Sequence, residues 1–370
     1  ELNLELGAGL NVFTGSNAQG KSNLLEAVAT LLLVRSPRTP SPGDLLRWGT
    51  DEAAVDAVVD RPPVTETLGL RLQRQTANPA VSSQTAIDVR ARVTRTSLAE
   101  GRPVAAREIL GRCPVVLFWP DDLQLVKSGP ETRRRLVDTL LSQLDRGAGD
   151  DLVRYRRVLE QRNALLRQIR HGASAEQLAA FDDALVHHGA RVQMARDRTV
   201  GSLGPLAEAA MRELTGGQEI LGLRYRPDSS LGGAGEEVII DSLRTALRRS
   251  RDEELSRGTT VVGPHRDDVD YLIDDRPARI SASQGQQRSA VLATKLAELR
   301  YAQIRSGHLP ILLLDDVLSE LDPDRGAQLL DALTTGKYAP QTLITSTDHP
   351  RLEGRSGRRF EVRGGMITPQ

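Results

Sequence analysis

Gly15-Ser16-Asn17-Ala18-Gln19-Gly20-Lys21-Ser22 fits the pattern G-x-x-x-x-G-K-[ST] at every fixed position. The chemistry asks for these residue types in this order. Glycines let the backbone curl so that successive N–H groups point inward at phosphate oxygens, and the helix that follows adds its positive dipole end. Lys21 then reaches the β- and γ-phosphates, and the Ser22 hydroxyl is placed to ligate Mg2+. The flanking sequence supplies the required context. Leu10, Val12 and Phe13 precede the loop as an apolar strand, and Leu24, Leu25, Val28, Leu31 and Leu32 follow at helical spacing until Pro37 and Pro40 end the helix. Upstream, the alternation of Leu2, Leu4 and Leu6 predicts a half-buried strand closed by a turn at Gly7–Gly9. The candidate phosphate-binding set is Gly15, Ser16, Asn17, Ala18, Gln19, Gly20, Lys21, Ser22 and Asn23.

A second piece of the same site lies almost three hundred residues later. Ile311-Leu312-Leu313-Leu314-Asp315-Asp316 is a strand without alternation, hence covered on both faces, as at the centre of a parallel sheet. Carboxylates at its carboxyl end fall where open α/β sheets bind ligands. Asp315 would hold Mg2+, directly or through water, and Asp316 would orient or deprotonate the attacking water. Together the two motifs predict binding of ATP or GTP.

Between them, Ser283-Gln284-Gly285-Gln286-Gln287 opens a helical stretch carrying Val291, Leu292, Leu296 and Leu299. A serine and a glycine at an exposed helix N-terminus form another anion cradle. Its spacing from the carboxylate strand resembles the signature of ABC-type ATPases, in which Ser283, Gln284, Gly285 and Gln286 would act in trans on the phosphate held by a second molecule. Ser319-Glu320-Leu321-Asp322 resembles the D-loop of the same ATPases.

The remaining sequence bounds the architecture. The chain has 370 residues, 39% hydrophobic and 26% charged, enough for two or three domains with a substantial core. Its apolar runs, such as Leu31–Val34 and Val115–Trp119, are much shorter than the roughly 20 residues a bilayer span needs. No secretion leader is expected. The single cysteine, Cys113, excludes an intrachain disulfide and cysteine-clustered metal sites. Lysine plus arginine equals aspartate plus glutamate, 49 against 49, so any nucleic-acid binding must come from local patches. Nearly all the cations are arginines, lysines occurring only at 21, 127, 295 and 337.

Alternating stretches between Ala53 and Val93, including Thr67–Leu72 and Ile87–Val93, predict an antiparallel meander with one wet face. Val115–Phe118 reads as a buried strand. Beyond Pro120 the spacing turns helical: Leu152, Tyr155, Leu159, Leu166 and Ile169, interrupted by Arg162, and then Leu178, Phe181, Leu185 and Val192. These form a helical hairpin broken at His171-Gly172-Ala173-Ser174. The expected fold is α/β, a head with a mixed sheet around the phosphate loop, interrupted by an α-helical insertion domain. Residues 1–118 and 258–370 would form the two halves of the head, and 119–257 the insertion.

Over most of its length the sequence resembles the RecF family of the ABC/SMC group. The likeness runs from Leu10–Ala27 and Arg35-Ser36-Pro37-Arg38-Thr39 through Phe118-Trp119-Pro120-Asp121-Asp122-Leu123 and Gln161–Leu166. Its most specific parts are Gly263-Pro264-His265-Arg266-Asp267-Asp268 and Leu314–Asp322. Family members begin with a further short strand, so the chain is expected to lack its first residues. Asp316 stands where most ABC ATPases carry glutamate, and a shorter side chain holds water less well, so slow hydrolysis is expected. At the place of the family's switch histidine stand Ser346 and Thr347; His349 lies late and reads as a turn residue.

The resemblance implies a bacterial, cytoplasmic, nucleoid-associated switch that dimerises on ATP. It would bind DNA at gaps or junctions of single and double strand, and help the RecO and RecR proteins place RecA. The sequence itself offers Arg133, Arg134, Arg135, Arg156, Arg167 and Arg170 as DNA contacts. By periodicity alone these are solvated helix faces. Adjacent arginines point about 100° apart, so the triplet cannot make one flat patch, while Arg156, Arg167 and Arg170 can share a face. With aromatics at 3%, recognition would be of backbone and shape rather than by stacking. An ATPase subunit of an ABC membrane transporter shares the loop, signature and carboxylates but not the insertion or the Gly263–Asp268 motif. A small-molecule P-loop kinase has no use for a second cradle at Ser283. A long-armed SMC-like tether needs more heptads than lie between Lys21 and Ser283.

Overall fold

Five consecutive buried residues make the strand that launches the phosphate loop, β1 (Leu10–Thr14). The structure, a computed structural model, describes residues 2–75, 93–172, 174–228, 235–334, 339–347 and 357–370. After the loop comes α1 (Lys21–Leu33), whose buried face includes Leu25, Ala29 and Leu32. A meander follows: β2 (Glu52–Arg61), β3 (Val64–Arg74), β4 (Val93–Ala99) and β5 (Arg102–Val104), paired antiparallel in that order. The Ile87–Arg92 part of the predicted alternation lies outside the described residues. Leu68, Leu70 and Leu72 of β3 are buried, so one face of this sheet is dry. A short α2 (Ala106–Ile109) leads to β6 (Val115–Phe118).

The helical region holds α3 (Pro130–Leu144), α4 (Arg146–Ile169) and α5 (Leu178–Thr215), then β7 (Leu221–Arg226), α6 (Glu236–Arg249) and α7 (Arg251–Arg257). It continues through β8 (Asp268–Ile273), β9 (Arg276–Pro277), α8 (Ala278–Ser281) and α9 (Gln284–Ser306). The chain closes with β10 (Ile311–Asp315), α10 (Pro323–Thr334), β11 (Thr342–Ser346), β12 (Gly357–Arg363) and β13 (Met366–Pro369).

Contacts divide the chain into two units, Glu1–Pro120 with His308–Gln370, and Asp121–Gly307. In the first, a six-stranded sheet has the order β13-β12-β1-β11-β10-β6, parallel except for the β12–β13 hairpin. β10 pairs with a strand on each side, and successive residues Leu312–Asp315 are all buried, so both of its faces are covered and its run is apolar without alternation. Phe13 stacks on Phe360 with centroids 4.8 Å apart, fixing β1 against β12. The predicted strand at Leu2–Leu6 does not form. Leu4 and Leu6 pack against the core, but the Glu5 carbonyl accepts from the Arg358 guanidinium at 2.8 Å rather than from a neighbouring strand.

In the second unit, α4 and α5 form the predicted hairpin, and β7-β8-β9 make a separate antiparallel sheet. Residues 258–307, expected with the head, pack here: β8 pairs with β7, and α9 lies against α5. Arg162 interrupts the apolar spacing of α4 because it is a core residue. It is fully buried, with Nε 2.8 Å from Asp182, Nη2 2.6 Å from Glu254 and Nη1 2.8 Å from the Thr260 hydroxyl. Among the described residues no helix is long and apolar enough to cross a membrane.

Candidate functional site

Parallel pairing brings three strand ends together. Thr14 at the end of β1 is level with Ser346 of β11, and Thr345 of β11 is level with Asp315 of β10. The loop after β1 and the carboxylates after β10 therefore open on one edge, around a pocket of about 470 Å3 lined by residues 17–23, Arg38, Asp315, Asp316 and Gly365.

Within it, Lys21 is buried and its ammonium donates to the carbonyls of Gly15 (2.5 Å) and Ser16 (2.9 Å). Gly20 caps α1 with a φ of 100°, a left-handed turn that a side chain would strain. The Ser22 hydroxyl donates to Asp315 Oδ1 at 2.8 Å, and the Thr345 hydroxyl donates to the same oxygen at 2.7 Å. A hydroxyl and a carboxylate held in contact are the hard oxygen pair that suits Mg2+, so these residues fit that ion.

Asp316 follows in a left-handed conformation, φ 50° and ψ 24°. Its N–H donates to the Thr345 carbonyl (3.2 Å) and hydroxyl (2.9 Å), while its carboxylate Oδ1 is buried with no hydrogen-bond partner among the described residues. Burial pushes the Asp316 carboxyl up, against the opposing pull of the Ser319 hydroxyl and of Lys21. A carboxylate with an unused oxygen and raised basicity, beside the lysine of a phosphate loop, has what a water-orienting base needs.

Three participants were not singled out from sequence. Thr345 holds both aspartates; its signal is only its place at the end of a buried strand. Arg38 lines the pocket, tied to Glu26 at 3.0 Å; its stretch Arg35–Thr39 carries part of the family likeness, but no spacing rule gave it a place in the site. Gly365 reaches the loop from the far end of the chain. His349 lies outside the described residues.

In the other unit, Ser283 is exposed at the start of α9. Its hydroxyl accepts from the Gln286 N–H at 3.2 Å, and the Gln286 side chain accepts from the Ser283 N–H at 2.8 Å. This reciprocal cap satisfies two end groups of the helix.

The candidate DNA arginines separate by burial. Arg133 is 5% exposed and grips Asp268 through two bonds of 2.7 and 3.0 Å while capping the Ser128 carbonyl, so it is an internal ion pair rather than a surface contact. Arg134 is half-buried on the Asp267 carbonyl. Arg135 is exposed and loosely paired with Glu131, Arg156 is half-exposed on Asp138, and Arg167 and Arg170 are exposed.

The Gly263–Asp268 hexapeptide is also internal. Asp267 is fully buried and accepts from the Tyr225 hydroxyl, Gln193 (3.0 Å), the Asp228 N–H (2.8 Å) and Arg196 (3.3 Å). His265 accepts from the Tyr155 hydroxyl at Nδ1 (2.7 Å) and donates from Nε2 to the Thr260 carbonyl (3.1 Å), the arrangement of a neutral ring. Burial pulls its pKa down to about 4.

No protein-family model matches the chain. It is 41% identical over 375 residues to the DNA replication and repair protein RecF of Symbiobacterium thermophilum, covering 99% of this chain and 94% of that protein. To the RecF of Synechocystis sp. it is 38% identical over 371 residues, covering 98% and 92%. Among solved structures, it superposes on the recombination mediator protein RecF with ATP, of the RecFOR pathway, with a TM-score of 0.85 and 31% identity, covering 99% of this chain and 93% of that one. An Smc head with coiled coil and joint from Pyrococcus yayanosii shares the fold at a TM-score of 0.52 and 12% identity.

Proposed function

The chain belongs to the RecF family of ABC/SMC-like ATPases acting in DNA replication and repair, and we propose that it is an ATP-controlled DNA-binding switch. The observation that carries this reading is the convergence of Lys21, Ser22, Asp315 and Asp316 on one pocket. Lys21, whose ammonium sits on the carbonyls of Gly15 and Ser16 in the free loop, is within reach of the β- and γ-phosphates and offers them its remaining charge. Ser22 and Asp315 would hold Mg2+, which when bound would neutralise charge on the phosphate oxygens. Asp316 accepts a proton from the attacking water, and its short side chain makes turnover slow. Ser283 to Gln286 of a second copy close over the γ-phosphate, so the triphosphate stabilises a dimer that opens after cleavage. The energetic content of the switch is the difference in affinity of the closed dimer for ATP and ADP.

DNA with gaps or single-to-double-strand junctions binds through exposed cations, Arg135, Arg156, Arg167 and Arg170, and Arg133 contributes by holding α3 in place. The protein acts in the bacterial cytoplasm, on the nucleoid, with RecO and RecR in delivering RecA; the RecFOR pathway named for the ATP-bound relative supports this partnership. Equilibrium binding of a gapped duplex in ATP and in ADP tests the reading. ATP should tighten binding, added salt should weaken it steeply, and replacing Arg167 and Arg170 by alanine should reduce the salt slope by about 2. Equal affinity in the two nucleotides would contradict it.

A further inference from the structure

The phosphate loop is held from outside by the last hairpin of the chain. β12 runs parallel to β1 with Glu361 level with Thr14, so its continuation overshoots β1 and turns beside the loop. The turn is Gly364-Gly365, with φ values of 56° and 80°. The Gly364 N–H donates to the Gln19 side-chain carbonyl at 2.6 Å, and the Gly365 N–H donates to the Gln19 backbone carbonyl at 3.0 Å. The fit is close: a Cβ on Gly15 would lie 2.3 Å from the Val362 carbonyl, and one on Gly20 would lie 3.7 Å from the Gly365 Cα.

This bond fixes a direction. In a planar trans peptide the C=O and the following N–H point to opposite sides. Anchoring the Gln19 carbonyl on Gly365 therefore turns the Gly20 N–H away from the hairpin. Lys21 already engages the carbonyls of Gly15 and Ser16. Three carbonyl dipoles of the loop are thus drawn onto donors, leaving its amides free for an anion.

We propose that the Gly364-Gly365 turn is a positioning element that preorganises the loop for a nucleoside triphosphate. The proposal rests on reading residues 15–23 as the triphosphate site. Both glycines have open space where a Cβ would stand, so substitutions there act through backbone conformation rather than collision. Asparagine tolerates left-handed φ and valine does not.

The test is binding of a fluorescent ATP analogue to Gly365→Val, Gly365→Asn, Gln19→Leu and Lys21→Met in the full chain, with melting temperature measured without nucleotide and turnover at saturating ATP. Gly365→Val and Gln19→Leu should bind about tenfold more weakly, the order of one well-made hydrogen bond. Gly365→Asn should bind like the parent. Parental affinity in both Gly365→Val and Gln19→Leu would overturn the proposal, as would equal losses in the asparagine and valine variants. Should Gly365→Val fail to fold, Gln19→Leu alone decides. Lys21→Met separates the two claims: parental binding there would refute the triphosphate site itself, while its loss alongside unaffected Gly365 and Gln19 variants would refute only the role of the turn.

Discussion

Asp316 holds a backbone conformation that costs an L-residue about 1–2 kcal/mol, maintained by two bonds from its own N–H to Thr345. Strain of this kind persists where the surroundings over-determine it, and here it sets a carboxylate beside the phosphate loop with one oxygen unused. Asparagine also tolerates left-handed φ, so Asp316→Asn removes the base without forcing the turn to change. Steady-state kinetics should show kcat reduced by about 10²–10⁴-fold with ATP affinity preserved. Because burial raises the carboxyl, and only its deprotonated form accepts a proton, the acidic fall in turnover should begin at a higher pH than for an ordinary aspartate. Unchanged turnover in the variant would remove Asp316 from the reaction. At this scale the sequence was legible in placing Lys21, Ser22 and Asp315 together, and they do line one pocket. It was not legible for the arginines. Arg133 reads as a helix-face cation and Arg162 as a break in an apolar spacing, yet each has a distant carboxylate partner, Asp268 135 residues away and Glu254 92 away, and only tertiary packing shows them buried.

Elements were read more securely than their neighbours. The apolar run of β10 and the loop between β1 and α1 fixed the sheet, since burial on both faces and a phosphate cradle each leave a direct pattern. Leu2–Leu6 carried a strand's alternation without a strand, because alternation reports a half-buried face and says nothing of a pairing partner. Helix α9 shows a similar doubling of meaning at Ser283: the residue that resembles an ABC signature is also a working N-cap. The two roles separate by substitution. Ser283→Ala should cost about 1 kcal/mol in thermal or denaturant unfolding through loss of the cap. Ser283→Arg should leave ATP binding intact yet block nucleotide-dependent dimer closure in sedimentation. Dimers of Ser283→Arg with ATP would mean that α9 begins with a cap and nothing more.

For the whole molecule, a formal net charge of zero removes any long-range attraction to DNA, so affinity must come from cations brought together by folding and by assembly. Two copies sharing nucleotides would double the exposed arginine surface and tie it to the state of the triphosphate, which is how an ATPase with slow turnover can act as a timer. The boundary near residue 307 was hidden from sequence because β8 and α9 have the apolar character of a sheet domain while packing on β7 and α5. Sedimentation velocity with saturating non-cleavable ATP analogue, beside ADP and the Lys21→Met variant, tests the central claim most directly. A dimer with the analogue alone, and a monomer in the other two samples, is the expected result. A parent chain that remains monomeric with the analogue fully bound would contradict the account.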